Sequence, residues 1–415
     1  MSAGGLRAYI AVTAAYWAFM LTDGALRMLV LLHFHTLGFS PVQLAYLFLL
    51  YEVMGIVTNL SAGWLAGRFG LTSTLYAGLA IQIVALIALA GLDPAWPAAA
   101  SVAFVTVVQG LSGIAKDLAK MSSKSAVKVL APQTEGALVR GLAMLTASKN
   151  AVEGAGFCLG AALLGLIGFR ASVIGMAVAL AAILAAIAAF MPRGLPAGKK
   201  GTKVSAVIPE DARIRALSLA RMFLFGARDT WFVVGIPVFF YGVLSDGTPE
   251  GARRAFFLIG GFMALWIIGY GAVQASAPRL LRAQTATPAQ TIHAARLWVG
   301  ILTSIPALLA LAAWMAIPGL TAVIVLGLLA FGGVFALNSA LHSYLILAFS
   351  RTERVTMDVG FYYMSNAAGR LLGTLLSGVS FQMGGVAGCL ATAALLSAAS
   401  WLSAGRLSRT AAVSV

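Results

Sequence analysis

Long apolar runs, separated by short polar intervals, repeat from one end of the chain to the other. Twelve of them fall near residues 9–34, 42–66, 72–91, 97–119, 138–167, 171–191, 214–243, 255–277, 296–316, 320–348, 356–381 and 386–405. A bilayer core is crossed by about 20 apolar residues in a helix, and each run is of that order. The pattern predicts an all-α membrane protein with twelve transmembrane helices. The first run holds Asp23 and Arg27 and is followed by no small-residue cleavage site, so it reads as a retained helix and not a signal peptide.

One longer polar stretch, 192–213, interrupts the repeat and reads as a cytoplasmic linker. It divides the chain into an N-terminal half, 1–191, and a C-terminal half, 214–415, of six runs each. Composition agrees with a membrane setting, because 60% of the 415 residues are hydrophobic and only 10% are charged. The net charge of +15 is mostly a matter of topology. With the N-terminus placed inside, 19 of the 28 Lys and Arg residues fall on the cytoplasmic side, against Arg170, Arg253 and Arg254 opposite. Both termini are therefore expected on the cytoplasmic side of the membrane. The same distribution argues against a nucleic-acid partner.

Charged residues nevertheless stand inside the runs: Asp23, Arg27, Glu52, Lys149, Glu153, Arg221, Arg228, Asp229 and Arg370. Each costs about 2.5 to 3.5 kcal/mol on insertion scales, so such residues face a wet cavity or a partner. A lining for a solute pathway is the expectation. Asp23 and Arg27 are four apart, as are Lys149 and Glu153, so each pair shares a helix face, and the plainer alternative is that these pairs only hold the bundle together. Arg221 and Arg228, seven apart, also share a face, with adjacent Asp229 the nearest acid in sequence. In the eleventh run Asp358, Tyr362, Asn366 and Arg370 step by four, leaving Arg370 without an acid within a turn. In the fourth, Ser112, Lys116, Lys120, Lys124 and Lys128 form a basic ladder. That ladder reads first as a solvated helix end, with Lys116, the deepest rung, as a possible site residue.

Gln109, Gln274, Asn338 and His342 add uncharged polar groups, and His342 reads as a hydrogen-bonding group of the cavity. Metal binding is not expected at His33, His35 or His342, since no acid or thiol stands beside them at ligand spacing. Cys158 and Cys389 are isolated inside predicted helices, where a thiol acts as a small buried hydrophobe. No phosphate-gripping glycine loop or nucleophile elbow suggests an enzyme, and no cofactor is expected.

Twelve helices in two linked halves resemble the major facilitator superfamily, in which helices 1, 4, 7 and 10 line a central cavity and helices 3, 6, 9 and 12 face lipid. Here runs 3, 6, 9 and 12 carry no charged residue in their interiors, and run 3 holds only Gln82. Gly63–Gly70 resembles the superfamily's cytoplasmic loop signature, with Gly67 where an Asp is usual. Gln109–Ala115 resembles the end of the segment in which proton-coupled members place an Arg three residues before the Gln; Thr106 stands there. More closely, Tyr16–His35, Ser112–Ser125, Leu145–Asn150 and Ala220–Phe232 resemble the ArsJ family of organoarsenical efflux permeases.

That resemblance implies export of 1-arseno-3-phosphoglycerate, which glyceraldehyde-3-phosphate dehydrogenase makes when arsenate replaces phosphate. The link to that enzyme is functional and implies no physical contact. A polyanion of this kind suits Arg, whose planar guanidinium donates two parallel hydrogen bonds. Arg27, Lys149, Arg221, Arg228 and Arg370, with Lys116, Gln109, Asn338, His342, Tyr362 and Asn366, are the candidate binding residues. Asp23, Glu52, Glu153 and Asp229 are the candidates for charge balance or ion coupling. A carrier of another organic phosphate or sugar acid is the alternative in transport, and a non-transporting receptor or scaffold the alternative outside it.

Overall fold

The computed structural model describes residues 3–130, 137–190, 209, 211–281, 287–350 and 355–412. Side chains are described for these except at 3–9, 62–64, 66–67, 71, 124–130, 137–147, 190, 355–356 and 408–412. The described residues are helical almost throughout. They form α1 (Ala3–Thr36), α2 (Pro41–Ala90), α3 (Ala98–Leu130), α4 (Ala137–Phe190), α5 (Ala212–Thr230), α6 (Ile236–Leu244), α7 (Pro249–Leu280), α8 (Pro288–Trp314), α9 (Leu320–Phe349) and α10 (Val355–Ala412). A single π-turn, Trp231–Gly235, joins α5 to α6. Pro237 lies just beyond it and lacks the N–H that a regular α-ladder needs, so the ladder slips by one residue upstream.

Local chemistry sets several of these ends. Asp211 caps α5 by accepting from the Arg213 N–H at 2.7 Å. Thr287 and Gln290 close a reciprocal capping box on α8. Within α2 and α4 the chain breaks at Gly70 (φ 75°, ψ 175°) and Gly168 (φ 77°, ψ 178°), and within α10 at Gly384 and Gly385, the latter at φ 58° and ψ −150°. The positive-φ conformations of Gly70, Gly168 and Gly385 are open to glycine and costly for any residue with a β-carbon.

Ten stretches among the described residues are long and apolar enough to cross a membrane. Two of them, Ser148–Ala189 and Met357–Leu407, run to 42 and 51 residues, and these contain the breaks at Gly168 and Gly384–Gly385. The expected linker lies almost wholly outside the described residues.

The chain divides into two compact units. The first comprises 1–36, 57–205 and 246–268, and the second 37–56, 206–245 and 269–415. In the first, α1 and α4 meet backbone to backbone. A β-carbon on Gly24 would come within 2.5 Å of the Glu153 carbonyl oxygen, one on Gly156 equally close to that of Leu21, and one on Gly160 would overlap Ala25. In the second, Gly226 of α5 and Gly373 of α10 approach in the same way. Helices in lipid gain little from hiding apolar surface, so close contact between small residues holds them together.

Gly168→Ala is expected to cost about 1–3 kcal/mol through its positive φ alone, since no atom lies within 4 Å of the added carbon. Gly175, helical and equally open, provides the control. Thermal unfolding of the purified protein in detergent should show the first variant destabilised and Gly175→Ala unchanged.

Candidate functional site

The helices bring most of the buried polar residues into three clusters. In the first unit, Lys116 of α3 is buried with its ammonium 2.8 Å from Asp23 of α1 and 3.1 Å from Glu153 of α4. Glu153 also takes the ammonium of Lys149, one turn earlier on α4, and Arg27 acts on it electrostatically. The buried Tyr16 ring lies within electrostatic reach of Glu153, Lys116 and Asp23. One residue along α3, Asp117 accepts from the Thr58 hydroxyl and from Lys120 at 3.1 Å, and Lys120 reaches Asn59 at 3.2 Å.

The expected i,i+4 pair between Lys149 and Glu153 is present. Lys116 requires a correction: it is not a rung of a solvated ladder but a buried bridge between carboxylates of two other helices. Lys120 is likewise ion-paired, and the side chains of Lys124 and Lys128 lie outside the described residues. Gln109 and Ser112, on the same face of α3 as Lys116, are fully buried, and their polar side-chain atoms meet no partner among the described residues. Gln82 is in the same position, buried on a run expected to face lipid.

In the second unit, Arg228 of α5 is bound at 2.5–2.6 Å to adjacent Asp229 and lies near the rings of Phe225, Phe335 and Phe232. Arg370 of α10 is 2.5 Å from Glu52 of α2 and 3.6 Å from Asp229. Arg370 was expected to have no acid within a turn, and along its own helix none stands that close. Its acids come from α2 and α5.

The third cluster, also in the second unit, is built on Arg221, only 4% exposed. One guanidinium nitrogen donates to the Ser339 hydroxyl at 2.9 Å and to the Ser339 carbonyl at 3.2 Å. Its central carbon lies 4.1 Å from the centroid of the Phe225 ring and 5.0 Å from that of Tyr362. Phe225 thus serves both Arg221 and Arg228, which confirms that the two arginines share a face. Gln274 of α7 donates to the Ser339 hydroxyl at 3.3 Å. His342, one turn further along α9, is completely buried and within electrostatic reach of Arg221.

Unlike the other two arginines, Arg221 has no carboxylate partner among the described residues. Its Nε, both ring nitrogens of His342 and the Ser218 hydroxyl are buried without a hydrogen-bond partner there. Each such orphan costs about 1–3 kcal/mol, so their convergence in one place marks a function more readily than a packing need. Asn338, expected as a binding residue, donates to the Ala295 carbonyl of α8 at 2.7 Å, and its amide oxygen is buried without a partner among the described residues. The Asn366 amide oxygen, one turn from Tyr362, is unpartnered among the described residues.

Sequence reasoning missed the hub role of Ser339. A lone serine in an apolar helix carries no signal in sequence, although its spacing of three from His342 places both on one face. Among the described residues no three His, Cys, Asp or Glu side chains are placed to hold a metal. Cys158 and Cys389 are free thiols, the latter buried.

No family model and no curated protein matches the chain. Among solved structures it is similar to a mutant of the nucleoside transporter NupG, with a TM-score of 0.69 at 16% identity, over 97% of this chain and 98% of that one. At that identity the likeness shows the fold alone: the chain shares the all-helical architecture of that protein. With ten apolar helices in that architecture, it is a multi-pass membrane protein.

Replacing Lys116 by Met should leave Asp23 and Glu153 competing for fewer cations in a buried setting, at a cost of about 3–5 kcal/mol. The triple change Lys116→Met, Asp23→Asn, Glu153→Gln should recover much of the loss. Unfolding temperatures in detergent check both expectations, and an equal loss in both variants would show that charge balance is not the cause.

Proposed function

We propose that the chain is a secondary transporter of the bacterial inner membrane that exports an anionic phosphorylated organoarsenical by alternating access. The breaks at Gly168 and Gly384–Gly385 would each turn the chain at a membrane surface, giving twelve crossings with both termini in the cytoplasm. The observation that carries the reading is the set of cations buried within apolar helices, namely Lys116 in the first unit and Arg221 in the second, with the less buried Arg228 and Arg370. A protein that only had to stand in the bilayer would not bear the several kcal/mol each such group costs. Receptors and scaffolds have no need of them.

The anionic cargo follows from their sign, and its identity as 1-arseno-3-phosphoglycerate from the resemblance to the ArsJ family. Oxygen-rich groups suit Arg and Lys, whereas two isolated thiols do not suit a trivalent arsenic species. An inside-negative potential supplies about 2.3 kcal/mol per charge per 100 mV, so a polyanion leaves the cell without any proton gradient. Thr106, at the position where proton-coupled members carry an Arg, fits that economy.

Expression of this gene should protect arsenate-exposed bacteria only beside a dehydrogenase that makes the arseno-phosphoglycerate, and should not protect against arsenite. The double change Cys158→Ser, Cys389→Ser should leave that protection intact. Arg228→Ala should abolish it at normal protein level, because loss of a forked donor from a desolvated anion site costs roughly 2–5 kcal/mol. Growth curves decide: protection against arsenite, or protection without the dehydrogenase, would assign a different cargo.

In proteoliposomes loaded with the anion, a potassium gradient that makes the interior negative should accelerate efflux with no pH difference imposed. Efflux that ignored voltage and required a proton gradient would establish antiport instead.

A further inference from the structure

We propose that Arg221, Ser339 and His342 form a discrete subsite in the second unit that takes one oxyanion group together with a hydroxyl on the neighbouring carbon. The inference rests on the reading of the chain as an anion carrier and names the part of the cargo that this place recognises.

The argument starts from hydrogen-bond capacity. The central carbon of the Arg221 guanidinium lies over the rings of Phe225 and Tyr362, so polar contact falls to its N–H groups. These are only partly used: one nitrogen reaches Ser339, while Nε has no partner among the described residues. The Ser339 oxygen accepts from both Arg221 and Gln274, which occupies its two lone pairs and leaves its O–H to donate. Two unused donors, one cationic and one neutral, therefore lie on either side of the same contact. An oxyanion supplies the acceptors that both require.

His342 adds the second requirement. On α9 it lies three residues beyond Ser339 and so on the same face, and Arg221 is within electrostatic reach of its ring. Both ring nitrogens are buried without a partner among the described residues. A neutral imidazole presents one N–H and one lone pair, so an oxyanion alone cannot satisfy it; the lone pair calls for a donor on the ligand. A hydroxyl beside the oxyanion provides that donor.

The other two candidate arginines of the unit differ in kind. Arg228 and Arg370 hold carboxylates, Asp229 and Glu52, at hydrogen-bonding distance. A cargo that contacts them does so in competition with those carboxylates. Arg221 has no carboxylate partner among the described residues, so its unused N–H meets a cargo without that competition.

Calorimetric titration of the purified full-length chain with 3-phosphoglycerate, with its analogue lacking the 2-hydroxyl, and with inorganic phosphate tests the subsite. The parent should bind 3-phosphoglycerate at least tenfold more tightly than the deoxy analogue, and phosphate more weakly than either. Arg221→Gln should weaken all three at least tenfold, and Ser339→Ala should do so more mildly if the arginine variant does not fold. His342→Phe should remove the preference for the hydroxyl while retaining binding of the deoxy analogue. Equal binding of the two phosphorylated acids by the parent would overturn the hydroxyl assignment. Unchanged binding in both Arg221→Gln and Ser339→Ala would overturn the subsite. Binding as expected in a protein that exports no organoarsenical would refute the proposed cargo and leave the subsite standing.

Discussion

A charge inside an apolar helix has to be neutralised where it stands, and the architecture of both units answers to that requirement. Lys116 is the clearest case, because its ammonium is held by carboxylates from two different helices, Asp23 on α1 and Glu153 on α4. Removing a buried ion from water costs several kcal/mol, recovered only when geometry is good and the remaining lone pairs are met. Three helices are therefore fixed in rotation and depth by one side chain. The glycine contacts of α1 with α4 then follow as the backbone arrangement that lets short carboxylates reach that point.

The second unit applies the rule unevenly. Arg228, Asp229, Arg370 and Glu52 balance one another, two charges of each sign, across α2, α5 and α10. Among the described residues Arg221 is met by dipoles and aromatic rings and by no carboxylate. Such an arrangement is adequate for a delocalised guanidinium, which is more weakly hydrated than an ammonium, but it leaves a positive potential in place. A site that attracts anions needs that residue of potential, and a site that merely holds helices together does not.

Much of this was legible in the sequence. Run length and spacing identified the membrane helices, and four-residue and seven-residue steps identified which charged residues share a face. Periodicity cannot say what faces them from elsewhere in the chain. Arg370 and Glu52 are 318 positions apart, and nothing local to either announces the other. Spacing could single out Lys116 as the deepest rung of a basic ladder, but not the two distant carboxylates that enclose it. Asn338 and Ser339 are adjacent in sequence, yet one meets α8 and the other Arg221, a difference of one step around a helix that spacing alone does not resolve. The glycine breaks were hidden in a different way, since helical glycines that serve close packing are spelled identically.

The π-turn at Trp231–Gly235 has a consequence for how this chain can change over time. A π-turn is an α-helix with one residue inserted, and a residue occupies about 100° of helical rotation. Here the surplus is stabilised from outside, by the Ser377 hydroxyl, which accepts the N–H groups of both Val234 and Gly235 at 3.1 Å. The arginine-bearing α5 and the apolar α6 are thereby set in separate rotational registers, though they form one continuous rod. Substitutions that re-aim residues in α6 can accumulate without turning Arg221 or Arg228 away from their surroundings, and the reverse holds as well. Loss of a single codon within the turn would end that independence, swinging one segment by a quarter of a revolution against the other.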